Sequence, residues 1–112
     1  MDAETEEILH CFVDECRDAI MVIESLLEWL EEESPEDRDE TFAEIFRRIH
    51  SMKGSAGYLN LNTIQRVAHR TEGLLLLMMG GSVPTSESML DTLSLAVDFV
   101  AERLEVGVGH AP

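Results

Sequence analysis

Four stretches of this 112-residue chain carry apolar residues three and four positions apart, and that spacing leaves few folds open. In the first, Ile8, Leu9, Phe12, Val13, Cys16, Ala19, Ile20, Ile23, Leu26, Leu27 and Leu30 keep the interval, which predicts a long amphipathic helix over residues 4–32. Ser34, Pro35, Glu36 and Asp37 then open a second helix: a capping hydroxyl, a proline at the first helical position, and acids at the positive end of the dipole. It carries Phe42, Ile45, Phe46, Ile49, Met52 and Ala56 on one face and is expected to end near Gly57. A third helix buries Ile64, Val67, Ala68, Thr71, Leu74, Leu75 and Met78. Asn62 is its expected cap, with Gln65 three residues on, and Gly80-Gly81 its stop. The fourth places Met89, Leu90, Leu93, Ala96, Val97, Val100 and Leu104 on one face. No alternating strand pattern competes. Helices joined by short connections pack as an antiparallel up-down four-helix bundle. The chain is therefore expected to be all-α, with one domain over residues 1–106 and a tail or linker start over residues 107–112.

Several function classes drop out on composition. The longest apolar run, Leu74 to Met79, is far short of the ~20 residues a membrane span needs, so no membrane insertion is expected. The opening "MDAETEEIL" is acidic and resembles no secretory or transit peptide, which makes a cytoplasmic location the expectation. The formal charge of −15 is all in residues 1–44, where seventeen acids face only Arg17 and Arg38. That sign is wrong for nucleic acid. Cys11 and Cys16 lie about 140° apart around one helix axis, so they cannot easily bridge and are expected to be small buried thiols. No Cys-x-x-Cys pair offers a metal site.

Within the acidic chain, Ile45 to Thr71 contains no acid and carries Arg47, Arg48, Lys53, Arg66 and Arg70. His50 stands in this basic island. At 100° per residue its ring falls on the flank of the second helix, roughly 110° from the core direction. Gly54 and Gly57 lie on the same side, one and two turns further along, with Lys53 and Arg47 to either side. Glycine costs a helix interior about 1 kcal/mol relative to alanine, so two of them ask for a reason. They leave an exposed imidazole approachable, and the cations suit an arriving anion. An unperturbed imidazole is substantially uncharged at neutral pH, so a ring nitrogen lone pair can attack an electrophile such as a phosphoryl group. On the third helix His69 and Glu72 share a face. A carboxylate bonded to one imidazole nitrogen fixes the tautomer and leaves the other as nucleophile. These residues alone leave other readings open: an exposed histidine without a role, a surface His-Glu pair, or a metal site made of His50, His69 and Glu72.

The segment from Phe46 to Leu75, "FRRIHSMKGSAGYLNLNTIQRVAHRTEGLL", resembles the histidine phosphotransfer (HPt) domain, in particular the CheA type found at the N-terminus of chemotaxis histidine kinases. His50, Ser51, Lys53, Gly54 and Gly57 match its His-Ser-x-Lys-Gly-x-x-Gly pattern, and His69 and Glu72 its later His-x-x-Glu. The resemblance implies that His50 is phosphorylated at Nε2, that Glu72 holds Nδ1, and that Lys53 and His69 complete the cluster. Arg47, Gly54 and Gly57 would form the partner-binding surface. It also implies a carrier that is not catalytic alone. A histidine kinase ATP-binding domain would load it, and a response regulator receiver domain would take the phosphoryl group onto an aspartate. No cofactor is expected on this domain, since ATP and Mg²⁺ would belong to the partners, and the isolated domain is expected to be monomeric. Asn60 departs from the glycine common in the turn, and the fifth helix frequent in the CheA type is not evident. The alternative is a non-catalytic helical adaptor that binds a partner through its acidic surface.

Overall fold

A computed structural model describes residues 2–30, 32 and 35–105. Four helices follow one another: α1 (Ala3–Leu30), α2 (Pro35–Tyr58), α3 (Asn62–Met79) and α4 (Glu87–Leu104). Each packs against its sequence neighbours and α4 closes the ring against α1, which makes the antiparallel bundle expected from the periodicity. The expected cap Ser34 and the tail at 107–112 lie outside the described residues. Among those described, no helix is long and apolar enough to cross a membrane.

The core is the set of stripes read from the sequence. Ile23, Leu30, Ile45, Leu75, Leu93 and Leu104 are its most completely buried large side chains, drawn from all four helices. Two expectations need correction. Ile8 is exposed, because α1 starts beyond the end of the packed stripe. Cys11 is exposed too, and only Cys16 is buried. The same angular offset that separates the two thiols turns Cys11 to solvent. Burial, with the charge of Glu15, pushes the Cys16 thiol up to about 12.

Local chemistry sets the helix ends. Asp2 accepts a hydrogen bond from the Thr5 N–H at 2.8 Å and starts α1, and α1 ends at Leu30, two residues before the expected limit. Arg38 Nε donates to the Leu30 carbonyl at 3.1 Å and ties α2 back to that end. Ser86 caps α4 through the Met89 N–H. Gly81, at φ 78°, ends α3, with the Ser82 N–H reaching back to the Leu77 carbonyl.

The α2–α3 turn sets how the flanks bearing His50 and Glu72 face each other. Asn60 takes the left-handed conformation, φ 60°, which asparagine tolerates better than most residues. The Leu61 N–H then bonds the Ala56 carbonyl and the Asn60 N–H bonds that of Gly57, closing α2. So the departure from glycine at Asn60 is absorbed. Asn62, however, is not the cap of α3. Leu61 occupies that position, without a side-chain bond. The turn is so tight that Leu61 closes α2 with its N–H and opens α3 with its carbonyl, which accepts from the Gln65 N–H.

Candidate functional site

The tight turn holds α2 and α3 side by side, and their facing flanks carry the chemistry. Glu72 is the first acid after the acid-free stretch and, among the described residues, one of two buried polar side chains, 5% exposed. A carboxylate is rarely buried unless its charge is met. Both of its oxygens are occupied from α2. Oε2 lies 2.6 Å from His50 Nδ1, and Oε1 accepts from Lys53 Nζ at 2.5 Å. Burial pushes the Glu72 carboxyl up, but hydrogen bonds from Lys53 and His50, with their charges, outweigh it and hold the group below its ordinary 4.5.

His50 is the exposed member of this trio, its side chain 63% accessible. An ionised carboxylate can only accept, so Nδ1 carries the proton and donates it to Glu72. The Nε2 lone pair is left on the solvent side of the ring. The Phe46 ring, one helical turn earlier, lies nearly parallel to the imidazole at 13°, with centroids 6.0 Å apart.

The other candidates divide. Gly54 opens onto empty space: a Cβ built there would meet nothing within 4 Å. Gly57 is not open. The Gln65 amide lies 2.6 Å from where its Cβ would be, so this glycine makes room for a side chain of α3. His69 is 73% exposed, and its Nδ1 stands 4.0 Å from Glu72 Oε1, beyond hydrogen-bond distance. It borders the cluster without joining it. Arg47 and Arg48 are both paired with Glu44, Arg48 Nε at 3.0 Å, and their hydrogen bonds draw the Glu44 carboxyl below its ordinary value. Neither forms a hydrogen bond or ion pair with His50 among the described residues. Among the described residues, no group of three or more His, Cys, Asp or Glu side chains is arranged to hold a metal ion.

Sequence reasoning missed two residues here. Phe46 reads as core, yet it is half-buried and borders the imidazole, a contact its four-residue spacing from His50 permits. Gln65 reads as the partner of a helix cap and instead covers Gly57. No sequence signal announces that.

Fold and site together define a class: a rigid helical bundle that presents one oriented imidazole, backed by a buried carboxylate, on an open flank. The family model for the Hpt domain matches residues 7–104, and the chain belongs to that family. It is 29% identical over 108 residues to the chemotaxis protein CheA of Borreliella burgdorferi, covering 96% of this chain and 12% of that one. The chain spans only 12 to 15% of the length of such curated relatives. Among solved structures, the CheA phosphotransferase domain from Thermotoga maritima superposes with a TM-score of 0.83 at 28% identity, over 92% of this chain and 96% of that one. The phosphorylated P1 domain of CheA3 in complex with CheY6 from R. sphaeroides gives 0.81 at 26%, over 93% and 80%.

Proposed function

We propose that His50 is a phosphoryl carrier: it accepts the group at Nε2 from an ATP-dependent histidine kinase core and passes it to an aspartate of a response regulator. The observation that supports this best is the 2.6 Å contact between His50 Nδ1 and Glu72 on an imidazole that is itself exposed. In loading, the Nε2 lone pair attacks the γ-phosphorus of ATP, the N–P bond forms, the bridging P–O bond breaks, and ADP leaves. Nδ1 keeps its proton throughout. The positive charge that develops on the ring is met by Glu72, which is already ionised and in place, so little reorganisation is needed. Lys53 holds the second carboxylate oxygen and so fixes the acid that fixes the ring. His69 and the open surface at Gly54 border the approach, and Arg47 can reach it only by leaving Glu44.

A structural neighbour supports the direction of traffic, since the P1 domain of CheA3 is phosphorylated in its complex with CheY6. ATP and Mg²⁺ belong, in this reading, to the partners, and this domain binds no cofactor. The test is chemical. With Mg-ATP and a CheA-type kinase core the domain gains an acid-labile, alkali-stable phosphate. His50→Gln abolishes the label while the helical circular dichroism is retained. A label that survives in that variant refutes the assignment.

A further inference from the structure

One turn beyond His50, towards the α2–α3 turn, the two helices border an open groove of about 440 Å³ lined by Lys53, Asn62, Gln65, Arg66 and His69. No carboxylate is among the described residues that line it. Lys53 gives one N–H to Glu72 and keeps two others. Arg66 is exposed and makes no hydrogen bond or ion pair among the described residues, so its five donors and its charge are uncommitted. The absence of a side chain at Gly57 lets the Gln65 amide lie against α2, where it adds a neutral donor and acceptor to the wall. Across α2 the groove between α1 and α2 differs: it carries Glu15, Asp18 and Glu44, and the arginines that line it, Arg47 and Arg48, are both paired with Glu44. An unpaired guanidinium on a groove it shares with Lys53 and His69, on a chain of charge −15, is built to take an oxyanion.

Geometry separates two oxyanions. Glu72 holds Nδ1, so in an in-line transfer the phosphorus lies beyond Nε2, at the opposite edge of the ring, and the leaving ADP departs from phosphorus on the side away from the ring. The groove lies on the Glu72 side, against α3. The phosphates of the donor nucleotide therefore run away from it, and the occupant left is a carboxylate on the docked protein. Loading is the step that most needs such a contact, because it brings an acidic domain up to a nucleotide of like charge.

We propose that this groove receives a carboxylate side chain of the kinase core, which pairs with Arg66 and sets the docking register over His50. The inference rests on the carrier reading and adds the partner's chemistry to it. Phosphorylation of His50 by the kinase core of the same organism at saturating Mg-ATP is compared with phosphorylation by phosphoramidate, a small donor with no protein surface. Arg66→Glu is expected to lower kcat/KM for the kinase reaction about tenfold or more, relative to phosphoramidate loading, at low ionic strength. The gap narrows as salt rises, and Arg66→Lys recovers most of the loss.

An unchanged ratio overturns the proposal. So does a raised KM for Mg-ATP with an unchanged KM for this domain, which assigns the groove to nucleotide phosphate. A loss confined to transfer from phospho-His50 to a receiver domain overturns it as well. Wild-type protein that labels with neither donor brings down the carrier reading itself, and the inference with it.

Discussion

Replacing Glu72 with glutamine removes its charge but keeps its shape, and this isolates what the carboxylate does for His50. In the proposed transfer, positive charge grows on a ring whose Nδ1 is 2.6 Å from Oε2 as Nε2 attacks. Unit charges 4 Å apart attract by about 1 kcal/mol in water and about 4 kcal/mol at an effective dielectric of 20. An exposed ring against a buried carboxylate lies between these limits. Lys53 already shares the carboxylate's charge. With roughly half a charge developed at the transition state, the loss is about 1 kcal/mol, or about fivefold in rate. Glu72→Ala should cost more, on the order of 30- to 100-fold, because the acceptor that selects the Nδ1–H tautomer and holds the ring plane is also gone. The assay is the initial rate of phosphorylation by phosphoramidate and by a kinase core with Mg-ATP, with circular dichroism to show that both variants fold. Rates within twofold of wild type in both variants would refute the reasoning. So would a glutamine variant slower than the alanine one.

The structure sets four further outcomes. Glu72 is held below its ordinary 4.5, so its contribution to stability is complete above about that pH and is lost as pH falls through the depressed folded value. The urea midpoint of wild type should therefore fall faster than that of Glu72→Gln below about pH 4.5, with a level difference above about pH 5.5. Gly54→Ala should raise the thermal midpoint by several degrees, because helix propensity favours alanine by about 1 kcal/mol and a Cβ there meets nothing. Gly54→Leu should slow kinase-mediated loading by filling the approach to the ring. One thiol, Cys11, should react with a disulfide reagent in the native protein and both in urea, because Cys16 is buried with its thiol pushed up to about 12.

The helices were legible because each buries a single stripe, and a stripe at 3.6-residue spacing has one geometric solution. The same rigidity made the direction of His50 legible: a fixed rotation per residue placed the ring on the flank, and it is there. What lay between helices was less accessible. That Glu72 meets His50 came from the resemblance to HPt domains, since the relative rotation of α2 and α3 is set by packing and no single helix encodes it. The Asn62 cap failed for a similar reason: two helix ends share Leu61, and local preference for a cap gave way to the geometry of the turn. Arg47 looked available beside the imidazole because the acid-free stretch begins just before it. Glu44, one residue outside that stretch, is the acid that pairs with it.

A buried carboxylate is an expensive way to build a bundle wall, and an apolar side chain of similar volume commonly leaves a protein as stable or more so. Glu72 sits at 5% exposure because two cross-helix donors replace its water. One of those donors is the imidazole itself. The contact that makes the buried charge tolerable is thus the contact that fixes the tautomer and aims Nε2 at solvent, so stability and chemistry draw on a single interaction. Any ring rotation that spoils the aim also strips a buried oxygen of its partner. The cost of an unmet buried acceptor, about 1–3 kcal/mol and more for a charged one, therefore holds the ring in the position that the proposed transfer requires. The tight Asn60 turn keeps the two helices from sliding apart to escape that cost.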